Sequence, residues 1–119
     1  MSTRDSQSFL LDVLGAIKSI EVFISGKSYK TYLADDMLRS AVERQLTIIG
    51  EAITKLKKSD AALCEKLLDS PQIIAFRNRL IHDYGRVDHL MVWGVVTAKL
   101  PLLRERVVAL LGSSGGAVG

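Results

Sequence analysis

Cysteine is almost absent from this chain: Cys64 is the only one in 119 residues. A lone thiol cannot close an internal disulfide, so a reducing cytoplasm is the expected setting. Histidine is scarce too, with two in the chain, His82 and His89. One Cys and two His cannot furnish a Cys/His zinc site within one chain, and no metal or cofactor is expected. No apolar run approaches 20 residues, which excludes a membrane-spanning helix from the reading. Met1-Ser2-Thr3-Arg4-Asp5 has no apolar stretch behind it, so no signal peptide is expected. There is no internal repeat, no Gly-rich phosphate loop and no period-two alternation that would mark strands.

What is present suits one helical domain. A chain of this length can bury a core without staples, and 48% of its residues are hydrophobic. The net charge of +3 and a pI near 9.2 are compatible with RNA binding without demanding it. Ser8 is read as the cap of a first helix from Phe9 to about Ser25, with Leu10, Val13, Leu14, Ile17, Ile20 and Ile24 at three- and four-residue spacing. Gly26 would terminate it, and Lys27 to Thr31 reads as a short basic link. Asp35 or Asp36 opens a second helix with the stripe Leu38, Val42, Leu46, Ile49, Ile53 and Leu56, closing on Lys55, Lys57 and Lys58. Gly50 inside it suits a close helix–helix approach. A short helical segment is expected around Ala61 to Leu68, with Cys64 as a small packing residue. Ser70-Pro71 is a strong start for a third helix, ending near Gly85. Asp88 caps a fourth, from Leu90 to Leu110, which Pro101 should kink. The expectation is therefore an all-α antiparallel bundle of four main helices plus a short one, occupying residues 1–111, with a disordered tail over 112–119.

Between Phe76 and Asp88 the chain concentrates its reactive side chains: Arg77, Asn78, Arg79, His82, Asp83, Tyr84 and Arg86. The run has the form Arg77, four residues, His82, one residue, Tyr84. On an ideal helix Arg77 and His82 lie about 140° apart, whereas Arg77 and Tyr84 share a face with Cα atoms about 10 Å apart. Ile73, Ile74, Phe76, Leu80 and Ile81 define an apolar face in which Arg77 falls, and a cation there needs a partner or a wet cleft. Asn78 and His82, four apart, can touch.

This spacing resembles the signature of the HEPN superfamily, and specifically of the HepT-like ribonuclease toxins encoded beside a minimal nucleotidyltransferase antitoxin. Glu43-Arg44, Ile48-Ile49 followed by Gly50-Glu51-Ala52, Val87-Asp88, Trp93 and Leu100-Pro101-Leu102 are similar to the same pattern. The likeness spans residues from about 9 to 110. It implies a homodimer in which two motif helices build a composite cleft. It also implies a cognate nucleotidyltransferase that transfers AMP onto Tyr84 and silences the toxin.

Metal-independent RNA cleavage fits these residue types. His82 would exchange a proton with the ribose 2′-hydroxyl or the leaving 5′-oxygen, since imidazole titrates near neutrality. Arg77 would hold the phosphate and its developing charge. Asn78 would orient His82 or the phosphate, and Arg79 and Arg86 are candidate RNA contacts or solvated charges. Glu51 reads either as a site carboxylate or as a solvated or capping charge. His89 and Trp93 are assigned structural roles. The competing reading is a non-catalytic helical nucleotide-binding partner of a nucleotidyltransferase. A DNA-binding protein lacks support, because no helix-turn-helix or concentrated basic helix is present.

Overall fold

The computed structural model describes residues 3–67 and 87–116, with side chains over 5–67 and 87–112. Among the described residues there is no strand, and the architecture is the all-α bundle expected. The helices are α1 (Thr3–Ile24), α2 (Tyr29–Ala34), α3 (Asp36–Ser59), α4 (Ala61–Cys64), α5 (His89–Gly94) and α6 (Leu100–Gly116), with a π-helical turn, Val95–Lys99, joining the last two. The expected third helix, Ser70 to Gly85, lies outside the described residues.

Apolar spacing decides the packing. Leu10, Val13, Ile17 and Ile20 of α1 are fully enclosed, and so are Val42, Ile49, Ile53 and Leu56 of α3. These two stripes face each other along the length of both helices, and α6 closes on α1. Val92, Val96, Leu100, Leu103 and Val107 complete the core from the C-terminal side. Steps of three and four residues keep each set on one face of its helix. Leu90, grouped with that stripe in the sequence reading, is instead 61% exposed. It belongs to the first turn of α5 and points off the buried face.

Short polar side chains set where the helices begin. Asp35 Oδ1 accepts from the Leu38 amide at 3.0 Å, Asp60 Oδ1 from Leu63 at 3.0 Å and Asp88 Oδ1 from Met91 at 3.1 Å. Each satisfies an amide that the first turn leaves without an intrahelical partner. Ser28 does the same for Thr31 at 3.2 Å, and this cap turns most of the expected link into α2. Gly26 adopts φ +72°, the left-handed conformation that ends α1 and that glycine reaches without steric cost.

Three boundaries differ from expectation. α1 begins at Thr3, so Ser8 is an exposed interior position rather than a cap. The buried face continues one turn further back, to Ser6, four residues before Leu10. α4 stops at Cys64, and turns over 65–67 then bring Leu67 into the core. Finally, α6 continues to Gly116, past the Gly112 at which the tail is expected to begin.

The expected disturbance at Pro101 takes a specific form. Proline has no N–H to donate to the carbonyl four residues earlier, and its ring crowds that carbonyl. The chain widens just upstream, where the Leu100 amide reaches the Val95 carbonyl, five residues back, in place of the usual four. Thr97 Oγ1 donates to the Trp93 carbonyl at 2.7 Å within the same turn. Among the described residues, no helix is long and apolar enough to cross a membrane.

Candidate functional site

Arg77, Asn78, Arg79, His82, Tyr84 and Arg86 lie outside the described residues, as does the helix expected to carry them. What the structure does place is the ground on which that segment ends. Val87 and Asp88 lead out of it, and Asp88 caps α5.

There the chain forms a polar cleft of about 260 Å³ between the start of α3 and the start of α5. Asp36, Arg39, Ser40, Glu43, Val87 and His89 line it. Positions 36, 39, 40 and 43 recur at three- and four-residue spacing, so one face of α3 supplies four of these side chains. The N-cap at Asp88 fixes where His89 enters the opposite wall.

Arg39 is committed within this group. Its guanidinium pairs with Asp36 and donates to the carbonyls of Leu33 and Tyr32, the latter at 3.5 Å. Those carbonyls end α2, where the Asp35 amide also reaches the Tyr32 carbonyl at 3.3 Å, and Arg39 acts as a clasp between α2 and α3. Glu43, by contrast, makes no side-chain hydrogen bond among the described residues. Burial raises its carboxyl above the ordinary carboxylate value, while His89 and Arg39 oppose that shift. The Nδ1 atom of His89 is enclosed and has no hydrogen-bond partner.

Behind the cleft stands an aromatic wedge. Tyr32 is fully buried, and its ring lies 5.2 Å from Trp93 at a 37° tilt. Tyr29 flanks the same indole at 6.3 Å. Such tilted pairs fix α2 against α5. The Tyr32 hydroxyl has no partner, and burial, aided by the neighbouring Glu43, pushes the phenol well above its usual range.

Trp93 packs against both Tyr29 and Tyr32. Cys64 is 3% exposed, packed in the core with its Sγ 3.9 Å from the Ile53 carbonyl, which fits the packing role assigned to it. Glu51 is half-buried on α3 and does not line the cleft. His89, expected to be structural, lines the cleft together with Glu43. The polar stripe at 36, 39, 40 and 43 could have been read from spacing alone. The approach of His89 could not, because it depends on how α5 docks. Among the described residues, no three His, Cys, Asp or Glu gather where they could hold a metal ion.

The helical bundle, its capped short helices and the motif-bearing sequence define an all-α domain of the HEPN type. The sequence model of the family described as "Ribonuclease HepT-like" matches residues 13–110. A Methanocaldococcus jannaschii protein named "Putative RNase" is 32% identical over 109 residues, covering 90% of this chain and 97% of its own. A Thermococcus cleftensis protein named "Probable ribonuclease HepT" is 32% identical over 103 residues, covering 87% and 93%. A third, from Caldanaerobacter subterraneus subsp. tengcongensis and also named "Putative RNase", is 32% identical over 90 residues, covering 74% and 78%. No solved structure matches at a significant level. The chain belongs to the HepT-like ribonuclease family.

Proposed function

We propose that this protein is a metal-independent endoribonuclease, the toxin of a toxin–antitoxin pair. The observation that carries the reading is the Arg77-x4-His82-x-Tyr84 motif in a chain that belongs to the HepT-like family. The names of its relatives support ribonuclease activity. His82 takes the proton from the ribose 2′-hydroxyl or returns one to the leaving 5′-oxygen. The 2′-oxygen attacks the adjacent phosphorus, and the bond to the 5′-oxygen breaks. The products are a 2′,3′-cyclic phosphate and a 5′-hydroxyl, and no water is consumed. Arg77 holds the phosphate and offsets its developing charge. Asn78 orients His82 or the phosphate, and Arg79 and Arg86 contact the RNA backbone.

In this reading the site is completed by a second copy of the chain around a two-fold axis. A dimeric mass by light scattering at micromolar concentration is the expected result, and a strict monomer would remove the composite cleft. The enzyme works in the cytoplasm and needs no cofactor. A cognate nucleotidyltransferase attaches AMP to the Tyr84 hydroxyl. The added phosphodiester brings a negative charge to the face that Tyr84 shares with Arg77, and blocks RNA there.

The direct experiment is RNA cleavage by the purified protein in EDTA, with His82→Ala and Arg77→Ala alongside. Loss of cleavage in both variants, with helical content kept, is expected. Undiminished cleavage by His82→Ala would end the catalytic assignment. Nucleotide binding without cleavage by the parent protein would leave a non-catalytic partner of the nucleotidyltransferase. Tandem mass spectrometry after incubation with that enzyme and ATP should place AMP on Tyr84 and none on the Tyr84→Phe variant.

A further inference from the structure

The cleft between α3 and α5 is built for a ligand of a particular kind. Among the described residues the guanidinium of the cleft is that of Arg39, held by Asp36 and by the carbonyls of Tyr32 and Leu33. An anion entering would meet the Asp36 and Glu43 carboxylates, and the described lining offers it no uncommitted guanidinium or ammonium. The described lining therefore favours a neutral ligand over a phosphate. What remains uncommitted on the described lining is the Glu43 carboxylate and the Ser40 hydroxyl, with the His89 ring on the opposite wall. Such a set suits a ligand edge that offers paired N–H donors beside an acceptor.

Size narrows the choice. About 260 Å³ falls below the roughly 300–1,000 Å³ of pockets that enclose whole drug-sized ligands. A single planar ring system fits that scale better than a nucleotide. Guanine presents N1–H and N2–H side by side, a match for both oxygens of one carboxylate, with O6 next to them for a hydroxyl or imidazole donor. Adenine places an acceptor where guanine has N1–H, and the pyrimidines lack the paired donors in that frame. Proteins that read single-stranded RNA do so by splaying out bases and bonding these edges.

Chain connectivity puts the cleft within reach of the proposed chemistry. Val87, on its wall, follows His82 by five residues, so their Cα atoms lie no more than about 18 Å apart. One RNA strand can touch both.

We propose that the Glu43–His89 cleft captures a single unstacked guanine base of the RNA, with the Glu43 carboxylate reading N1–H and N2–H and with Ser40 and His89 facing O6. The inference rests on the ribonuclease reading, to which it adds base selectivity. Val87 supplies an apolar wall to the ring, and the Arg39 clasp keeps the α3 wall in place against α2.

The test uses the full chain and does not depend on cleavage. Amide-shift titrations with 5′-GMP, 5′-AMP, 5′-CMP and 5′-UMP should move Ser40, Glu43 and His89 with GMP at concentrations about tenfold lower than with the others, the discrimination a bidentate base contact provides. Inosine monophosphate, which lacks the N2 amino group, should bind several-fold more weakly than GMP. Glu43→Gln, nearly isosteric but with one acceptor replaced by a donor, should erase the preference. Glu105→Gln, an exposed charge change on α6, should keep it. Equal responses to all four nucleotides, or GMP shifts confined to other residues, overturn the inference. So does a cleft that responds to arginine amide more tightly than to GMP, which would mark it as a seat for a protein side chain. Cleavage assays separate the two readings. RNA cut without regard to guanine, with no cleft response, defeats this inference and leaves the ribonuclease standing. Guanine-selective binding without any cleavage supports the inference and defeats the enzyme.

Discussion

Glu43 carries a charge that the fold does little to accommodate. Burial raises its carboxyl above its ordinary value of 4.5, so the folded state holds this proton more firmly than the unfolded chain does. Stability from this group is full below pH 4.5 and is lost as pH rises through the raised folded value. Glu43→Gln removes that loss. Thermal melts should show the parent losing stability relative to the variant as pH climbs above 4.5, and a constant difference would show that Glu43 is not the cause. Tyr32 offers a second residue-scale test. Its hydroxyl is buried without a partner while its ring packs on Trp93. Tyr32→Phe keeps the ring and removes an unsatisfied group, so a gain of about 1 kcal/mol in urea denaturation is expected. A loss of that size would mean the hydroxyl has a partner in solution. Neither property could be read from residue type: Tyr32 stands just past a short basic link, Tyr is buried about as often as not, and a Glu in a helix is ordinarily wet.

At the scale of elements, the caps at Asp35 and Asp88 and the short helix starting at Ala61 were legible, whereas Ser8 proved interior to α1 and α2 was not foreseen. Asp35 and Asp88 were readable as helix starts because a short acidic side chain before an apolar-periodic run has one local use. Asp88→Ala should cost about 1 kcal/mol in stability, measured by chemical denaturation. It should also reduce any guanine preference, because the cap sets where His89 enters the cleft. A change smaller than a few tenths would show that α5 is held by packing alone. α2 escaped the sequence reading for a physical reason. Six residues make a helix too short to be stable by itself, and this one exists because Tyr32 is pulled into the core and Arg39 closes its C-terminal carbonyls. Pro101 announced a disturbance, but not that it would take the form of a π-turn one step upstream.

At the scale of the whole molecule, the core among the described residues is set by α1, α3 and the α5–α6 segment. Leu46 is 2% exposed at the heart of α3. Leu46→Ala should destabilise the protein by about 2–5 kcal/mol, the range for a large-to-small change in a packed interior. Denaturant titration measures it, and a cost under about 1 kcal/mol would mean the bundle collapses around the gap. The Glu21–Arg104 pair that bridges α1 and α6 at 3.4 Å is open to solvent on both sides, so its contribution is small beside the core's.

The all-α class and the faces of the long helices were determined by sequence alone, because a period of three and four residues can bury only one side of a helix. The family was legible for a different reason: its motif and the short flanking stretches, from Glu43-Arg44 to Leu100-Pro101-Leu102, can be recognised by their order and spacing along the chain. Tertiary structure decided what no local pattern encodes. It brought His89 to Glu43 across the chain and committed Arg39 to the end of α2. It left one carboxylate on the wall of a cleft without a hydrogen-bond partner, and one imidazole nitrogen enclosed without one. The approach of His89 depends on how α5 docks, and α5 packs on α2 through Trp93. Docking is set by the shapes of Tyr32, Trp93 and Val92 in three dimensions, not by the spacing of residues along the chain.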